Sequence, residues 1–364
     1  MSGSLTGALV GCGGRTKNTF VGSVFVATRD SGDIAVVNLA AFALEKSRIK
    51  PSGRPVQLLD VPGSDTMLSI AENGILEEIK VSEAAISRKL KTHVLPNQVW
   101  LSFDRKTIWA LTPDGHKLLA IDLAGLQVRR EWSLPEPASG LAVSPETAHV
   151  AVSLPGSLRV GILSPDEEKG LNYSSVGKVP GIIRYLKNGS ILLVAQKEDR
   201  ELTLVDTKTG KVVVHLPLPI RPENLCFSED GGQLFITGEG LDGVVVVYPY
   251  LSQVAATLLS GKAPGPMAVS ISPAFLFVTS PSTDTVSVLD IRSQKLAAVV
   301  AVGNDPRCVV LTPDSQMALV LNERSGDLAI IRLANIVSKR HKTAPLFTMI
   351  PVGAAPVAAV VRSA

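Results

Sequence analysis

The residues best placed to do chemistry are charged and scattered. Arg54, Arg184, Arg221 and Arg307 each lie near a recurrent proline, at the entrance to a strand-like run. If such entrances converge on an axis, forked guanidinium donors there would suit a small anionic ligand. Acidic residues recur in turns further along the same units, at Asp30, Asp33, Glu198, Asp199, Asp242, Asp284, Glu323 and Asp327. Solvated turn charges are the simpler account of both sets, and nothing in their spacing makes them a catalytic pair.

Metal and nucleophile chemistry finds less support. The five histidines, His93, His116, His149, His215 and His341, are dispersed, without His-x-His, His-Glu-x-x-His or Cys-x-x-Cys spacing, so no metal ligands are assigned. No Cys-x-x-Cys-His attachment site is present, which excludes covalently held haem. No Gly-x-Ser-x-Gly elbow and no glycine-rich phosphate loop occurs, so no catalytic residue and no cofactor is assigned. Trp100, Trp109 and Trp132 fall within one stretch and read as packing residues. Cys226 and Cys308 sit in apolar strand contexts and read as small core residues.

The elements that must carry these residues repeat. An apolar alternating run ending in a polar position recurs at 38, 80, 122, 163, 206, 248, 290 and 332, a spacing of 41–43 residues. Proline opens a second series, at Pro55, Pro96, Pro137, Pro180, Pro222, Pro266, Pro306 and Pro356. Proline presets φ and cannot serve a central ladder, so it suits the connection into a strand. Each unit reads as four short strands divided by turns; after Pro266 they are expected over 267–271, 275–279, 285–290 and 296–302. No sustained 3.6-residue apolar period appears. Four strands per ~42 residues is the pattern of a β-propeller blade, whose two apolar faces are buried only when blades stack into a ring.

The chain is therefore expected to be all-β, a single propeller of four-stranded antiparallel blades. Repeat counting gives eight, or seven if the weak unit 56–95 is not a blade. Full blades are expected at about 55–95, 96–136, 137–179, 180–221, 222–265, 266–305 and 306–355. A split blade, 23–54 plus 356–364, would close the ring by pairing the terminal strands, with residues 1–22 as a leader and tether. Composition agrees. The 364 residues are 45% hydrophobic and 19% charged, which fits a large core and not a disordered chain. A net charge of +3 gives no field for nucleic acid. No apolar run approaches the ~18 residues of a spanning helix.

The stretch Phe277-Val278-Thr279-Ser280, followed by Thr285-Val286-Ser287-Val288-Leu289-Asp290 and Val302-Gly303-Asn304-Asp305-Pro306, resembles the repeat of the bacterial and archaeal YVTN family of β-propellers. Phe25-Val26-Ala27-Thr28 and Val352-Gly353-Ala354-Ala355-Pro356 echo it, and the resemblance extends over 23–364. It implies a propeller with an extracytoplasmic setting, periplasmic or cell-surface, and no single activity. Leu9-Val10-Gly11-Cys12 is similar to a bacterial lipobox, which implies lipidation of Cys12. Met1–Gly11 lacks the basic and apolar regions of a signal peptide, and a start upstream of Met1 would supply them.

The functional expectation is a monomeric, non-catalytic scaffold. Loops at one mouth of the ring would bind a protein or glycan of the cell envelope, or a small anionic ligand. Membrane contact would run only through Cys12. The alternative is a lactonase-like or other hydrolase with its site in the central funnel.

Overall fold

In the computed structural model the described residues are 20–164, 170–337 and 344–363. Cys12 and the basic run 338–342 lie outside them. Among the described residues the strands form eight four-stranded sheets, each antiparallel and each made from consecutive strands except one. The exception is the split blade: Gly22–Thr28, Asp33–Asn38 and Ala43–Ile49 are completed by Pro356–Ser363 from the far end of the chain. The ladder between Gly22–Thr28 and Pro356–Ser363 runs from Gly22 opposite Ser363 to Thr28 opposite Pro356. The ring is thus an eight-bladed β-propeller closed by its terminal strands.

Numbered along the chain from this split blade, the second blade is Pro55–Asp60, Thr66–Ala71, Leu76–Lys80 and Ala85–Lys89, so the weakest repeat is a full blade. Inner strands of the third to eighth blades are Val99–Leu101, Gly140–Val143, Ile183–Tyr185, Arg221–Phe227, Met267–Val269 and Pro306–Leu311. The strands expected after Pro266 appear at Met267–Val269, Phe275–Ser280, Thr285–Asp290 and Lys295–Ala301. Among the described residues, two short helical turns depart from the all-β reading, Pro249–Leu251 and Leu333–Val337, each before the outer strand of its blade.

The apolar runs are explained by burial on both faces. In Met317–Asn322, Met317, Leu319 and Leu321 pack with Val24, Val26 and Val37 of the first blade, whereas Ala318 and Val320 pack with Phe275, Phe277 and Val288 of the seventh. The period of two therefore sorts side chains between two neighbours instead of between core and water. Every adjacent pair of blades shares such a cluster, including the eighth with the first. Outer strands differ. Gln127–Ser133 and Ala43–Ile49 alternate between exposed and half-buried, as edges facing solvent on one side should.

Turns between first and second strands use a repeated device. Asp104, Asp230 and Asp314 each accept a hydroxyl two residues before and an amide two residues after, from Ser102, Ser228 and Thr312 and from Lys106, Gly232 and Gln316. The following residue takes positive φ in each, Arg105, Gly231 and Ser315. Short side chains that mimic a backbone turn explain why these positions read as punctuation in the sequence.

Candidate functional site

Inner strands begin, and second-to-third-strand turns lie, at the same end of the ring, and that mouth collects charge. In the fifth and sixth blades, Lys197 reaches Glu223 at 2.7 Å and Glu239 at 3.4 Å. Arg221 reaches Glu239 at 3.4 Å and Glu198 at 3.7 Å. Across the closing seam, Arg29 of the first blade pairs with Glu323 of the eighth at 3.0 Å. Arg54 lies 3.8 Å from Glu72, and Arg307 lies 2.8 Å from Asp305.

The turn acids are engaged as well. Asp284 accepts the Asp305 amide and the Asn304 side chain, and Asp242 accepts the Ala263 amide. Asp33 accepts from Arg48, and Asp327 from the buried Asn322. Asp242 and Asp284 tie turns to the connections that follow their blades, whereas Asp33 and Asp327 bond within their own blades.

The four arginines expected together therefore separate. Arg54, Arg221 and Arg307 stand on the rim, each facing a carboxylate. Arg184 stands deeper. It is the middle residue of Ile183–Tyr185, half-buried, with no carboxylate partner among the described residues. Its Nη1 donates to the Ile183 carbonyl at 2.8 Å, and its guanidinium carbon lies 4.7 Å from the centre of the Trp100 ring. Trp100 belongs to the third blade and Arg184 to the fifth, so the side chain passes over the inner strand of the fourth. Burial pulls the guanidinium below its usual pKa range, yet an arginine stays charged at neutral pH, and the indole face is a favourable neighbour for that charge.

A pocket of about 300 Å³ opens beside this pair, between the starts of three consecutive inner strands. Asn97, Gln98 and Ser139 give it polar walls, Leu141 and Ile182 apolar ones, and no acidic residue lines it. Gly140 and Gly181 line it and pack closely against the second strands of their blades. A Cβ on Gly140 would stand 2.7 Å from the Ser153 hydroxyl, and one on Gly181 3.0 Å from the Ala195 carbonyl. The Gln98 side-chain oxygen accepts the Leu141 amide at 2.7 Å, which fixes one wall. The Trp100 indole N–H is buried without a hydrogen-bond partner.

This adds to the reading of the three tryptophans as packing residues. Trp109 and Trp132 pack together, at 5.5 Å between ring centres, and Trp100 packs against the same cluster while its ring also meets Arg184. A signal was present: Trp100, Leu141 and Arg184 each follow their proline, Pro96, Pro137 and Pro180, by four residues. Equal offset places three neighbouring blades' residues at one level of the channel.

The arrangement nearest to a catalytic triad fails on geometry. His215 Nδ1 lies 2.7 Å from Glu201 and 3.0 Å from the Thr203 hydroxyl. Both partners use the same ring nitrogen, whereas a relay needs the acid on one nitrogen and the nucleophile on the other. Glu201 also takes Lys178 at 2.9 Å. Burial pushes the Glu201 carboxyl up, and the bonds from Lys178, His215 and Thr203 outweigh it and hold it below the usual range. No group of three or more His, Cys, Asp or Glu able to hold a metal occurs among the described residues. Cys226 and Cys308 are half-buried and unpaired, with thiols pushed up to about 12 and about 11 by burial, so neither is a thiolate at neutral pH.

No protein-family profile matches the chain, and no curated protein matches it. Solved structures do. The dihydro-heme d1 dehydrogenase NirN, in complex with DHE, superposes with a TM-score of 0.78 at 11% identity, over 93% of this chain and 75% of that one. Hydrazine synthase of Kuenenia stuttgartiensis superposes with a TM-score of 0.57 at 14% identity, over 76% of this chain and 97% of that one. At such identities the likeness is one of fold.

Proposed function

We propose that this propeller is a non-catalytic binding scaffold that engages a protein partner across the charged mouth of the ring, in an extracytoplasmic setting of the kind the YVTN-like repeats imply. The observation that carries it is the rim network of Lys197, Glu198, Arg221, Glu223 and Glu239. Exposed ion pairs contribute little to stability, typically ~0–1 kcal/mol each. Their concentration at one mouth is better spent on electrostatic complementarity to a partner, which governs encounter and choice of partner. The turn that follows Glu239 is tied down by the bond from the Ala263 amide to Asp242, which fixes that part of the surface before binding. The hydrolase reading has no poised nucleophile among the described residues. The residues lining the channel pocket include no His, Cys, Met or Tyr of the kind that ligates a haem iron.

The test uses the full chain immobilised and exposed to a bacterial envelope extract, with an ester and lactone panel run in parallel. One partner should be captured saturably, about tenfold less by Lys197→Glu/Arg221→Glu, and progressively less as salt rises. Capture of glycan alone would replace the protein partner. Turnover abolished by a single channel substitution would overturn the scaffold reading in favour of a hydrolase.

A further inference from the structure

Beyond partner binding at the rim, we infer that the channel pocket at Arg184 and Trp100 is a receptor site for a small monocarboxylate with a short apolar body. Four features define the ligand. The first is charge. Arg184 is the sole cation lining the pocket, and no carboxylate opposes it. One negative charge balances it, and a dianion would bring a second charge into a partly desolvated place without a partner.

The second is shape. Trp100 covers the face of the guanidinium, and Nη1 is partly engaged by the Ile183 carbonyl. The edge formed by Nε and Nη2 has no protein partner among the described residues. That edge is a planar two-donor fork, which matches a planar carboxylate side-on and matches a tetrahedral or spherical anion less well.

The third is the orphan donor. The Trp100 indole N–H is buried without a partner, an arrangement that disfavours the folded state until an acceptor is found. A small turn of the indole toward a bound acceptor would satisfy it. The fourth is size. At about 300 Å³ the pocket sits at the lower end of the ~300–1,000 Å³ of small-molecule sites, and Leu141 and Ile182 offer an apolar wall for the ligand's body.

This inference is independent of the rim: its residues belong to the third, fourth and fifth blades, and none takes part in the Lys197–Arg221 network. Indole N–H signals of protein labelled with nitrogen-15 tryptophan report on it directly, with the Trp100 signal identified by its loss in Trp100→Phe. Titration with butyrate and with benzoate should shift that signal saturably while leaving those of Trp109 and Trp132 in place. Succinate and inorganic phosphate should bind at least tenfold more weakly. Arg184→Gln should weaken butyrate at least tenfold, and Arg184→Lys, which keeps the charge and loses the fork, should erase the preference for carboxylate over phosphate.

An unmoved Trp100 signal at tens of millimolar of either monocarboxylate overturns the inference, as does equal binding by Arg184→Gln. Tighter phosphate binding overturns the ligand class. If Arg184→Gln does not fold, the wild-type order of ligands and the Arg184→Lys variant still decide. Loss of envelope capture with carboxylate binding intact would remove the rim proposal and leave this one standing.

Discussion

At the scale of single residues, carboxylates in this ring act chiefly as acceptors for their own turns. Asp206 accepts the Thr209 amide and hydroxyl, and Asp290 accepts the Ser293 amide and hydroxyl. Those bonds hold both carboxyls below their ordinary value of 3.8. An acid whose folded pKa is depressed adds stability above the unfolded value, and that stability is lost as the pH falls through the folded one. The melting temperature should therefore stay level from pH 7 to about 5 and drop below about pH 4. The double variant Asp206→Asn/Asp290→Asn keeps an acceptor in each turn and should show a shallower acid drop; an unchanged slope would assign the loss to other groups. The same scale shows what was legible of the site. Arginines near prolines were visible in the sequence, but not their separation into rim and channel. Arg54 and Arg221 precede their prolines, Arg307 follows by one and Arg184 by four. That offset, with the equal offset of Trp100, sets depth along the channel, whereas the pairing of the rim arginines depends on acids from neighbouring turns that no local pattern connects to them.

At the scale of elements, the strand that closes the ring carries more consequence than any other. Pro356–Ser363 supplies the inner edge of the first blade and packs Val360 against Phe25 and Leu58. A chain ending at Ala355 would leave the apolar faces of that blade open and should lose roughly 5 kcal/mol or more. Thermal unfolding together with size-exclusion chromatography would show this as a large fall in melting temperature and as association; an unchanged melt would contradict the clasp. Repeat, strand number and clasp were readable because each rests on periodic apolar residues and on proline. Bulges were not. In seven of the blades, among the described residues, the register slips between third and fourth strands next to the polar reference position, as at Ala120/Ile121, Leu204/Val205 and Val288/Leu289. The fourth blade has no such slip. A bulge twists the outer strand and blunts its edge, yet it is made by backbone conformation and needs no distinctive side chain.

At the scale of the whole molecule, closure makes the place of the chain ends interchangeable in principle. The natural split separates an inner strand from its other three, and the turn between Leu311 and Met317 stands in the same relation within the eighth blade. A permuted chain beginning at Ser315 and ending at Asp314, with 363 joined to 22 by a short linker, should fold and melt within about 5 °C of the parent. Failure to fold would mean that the first blade has a role in assembly that the symmetry of the seams does not show. The closing ladder has a mechanical side too. Because Gly22 lies opposite Ser363, both described ends leave the ring at the same end of one antiparallel pair. Tension between them loads the hydrogen bonds one after another, as in opening a zipper, and not all together as in shear. Pulled from its ends, a ring held by eight apolar seams would yield first at this closing ladder, at low force.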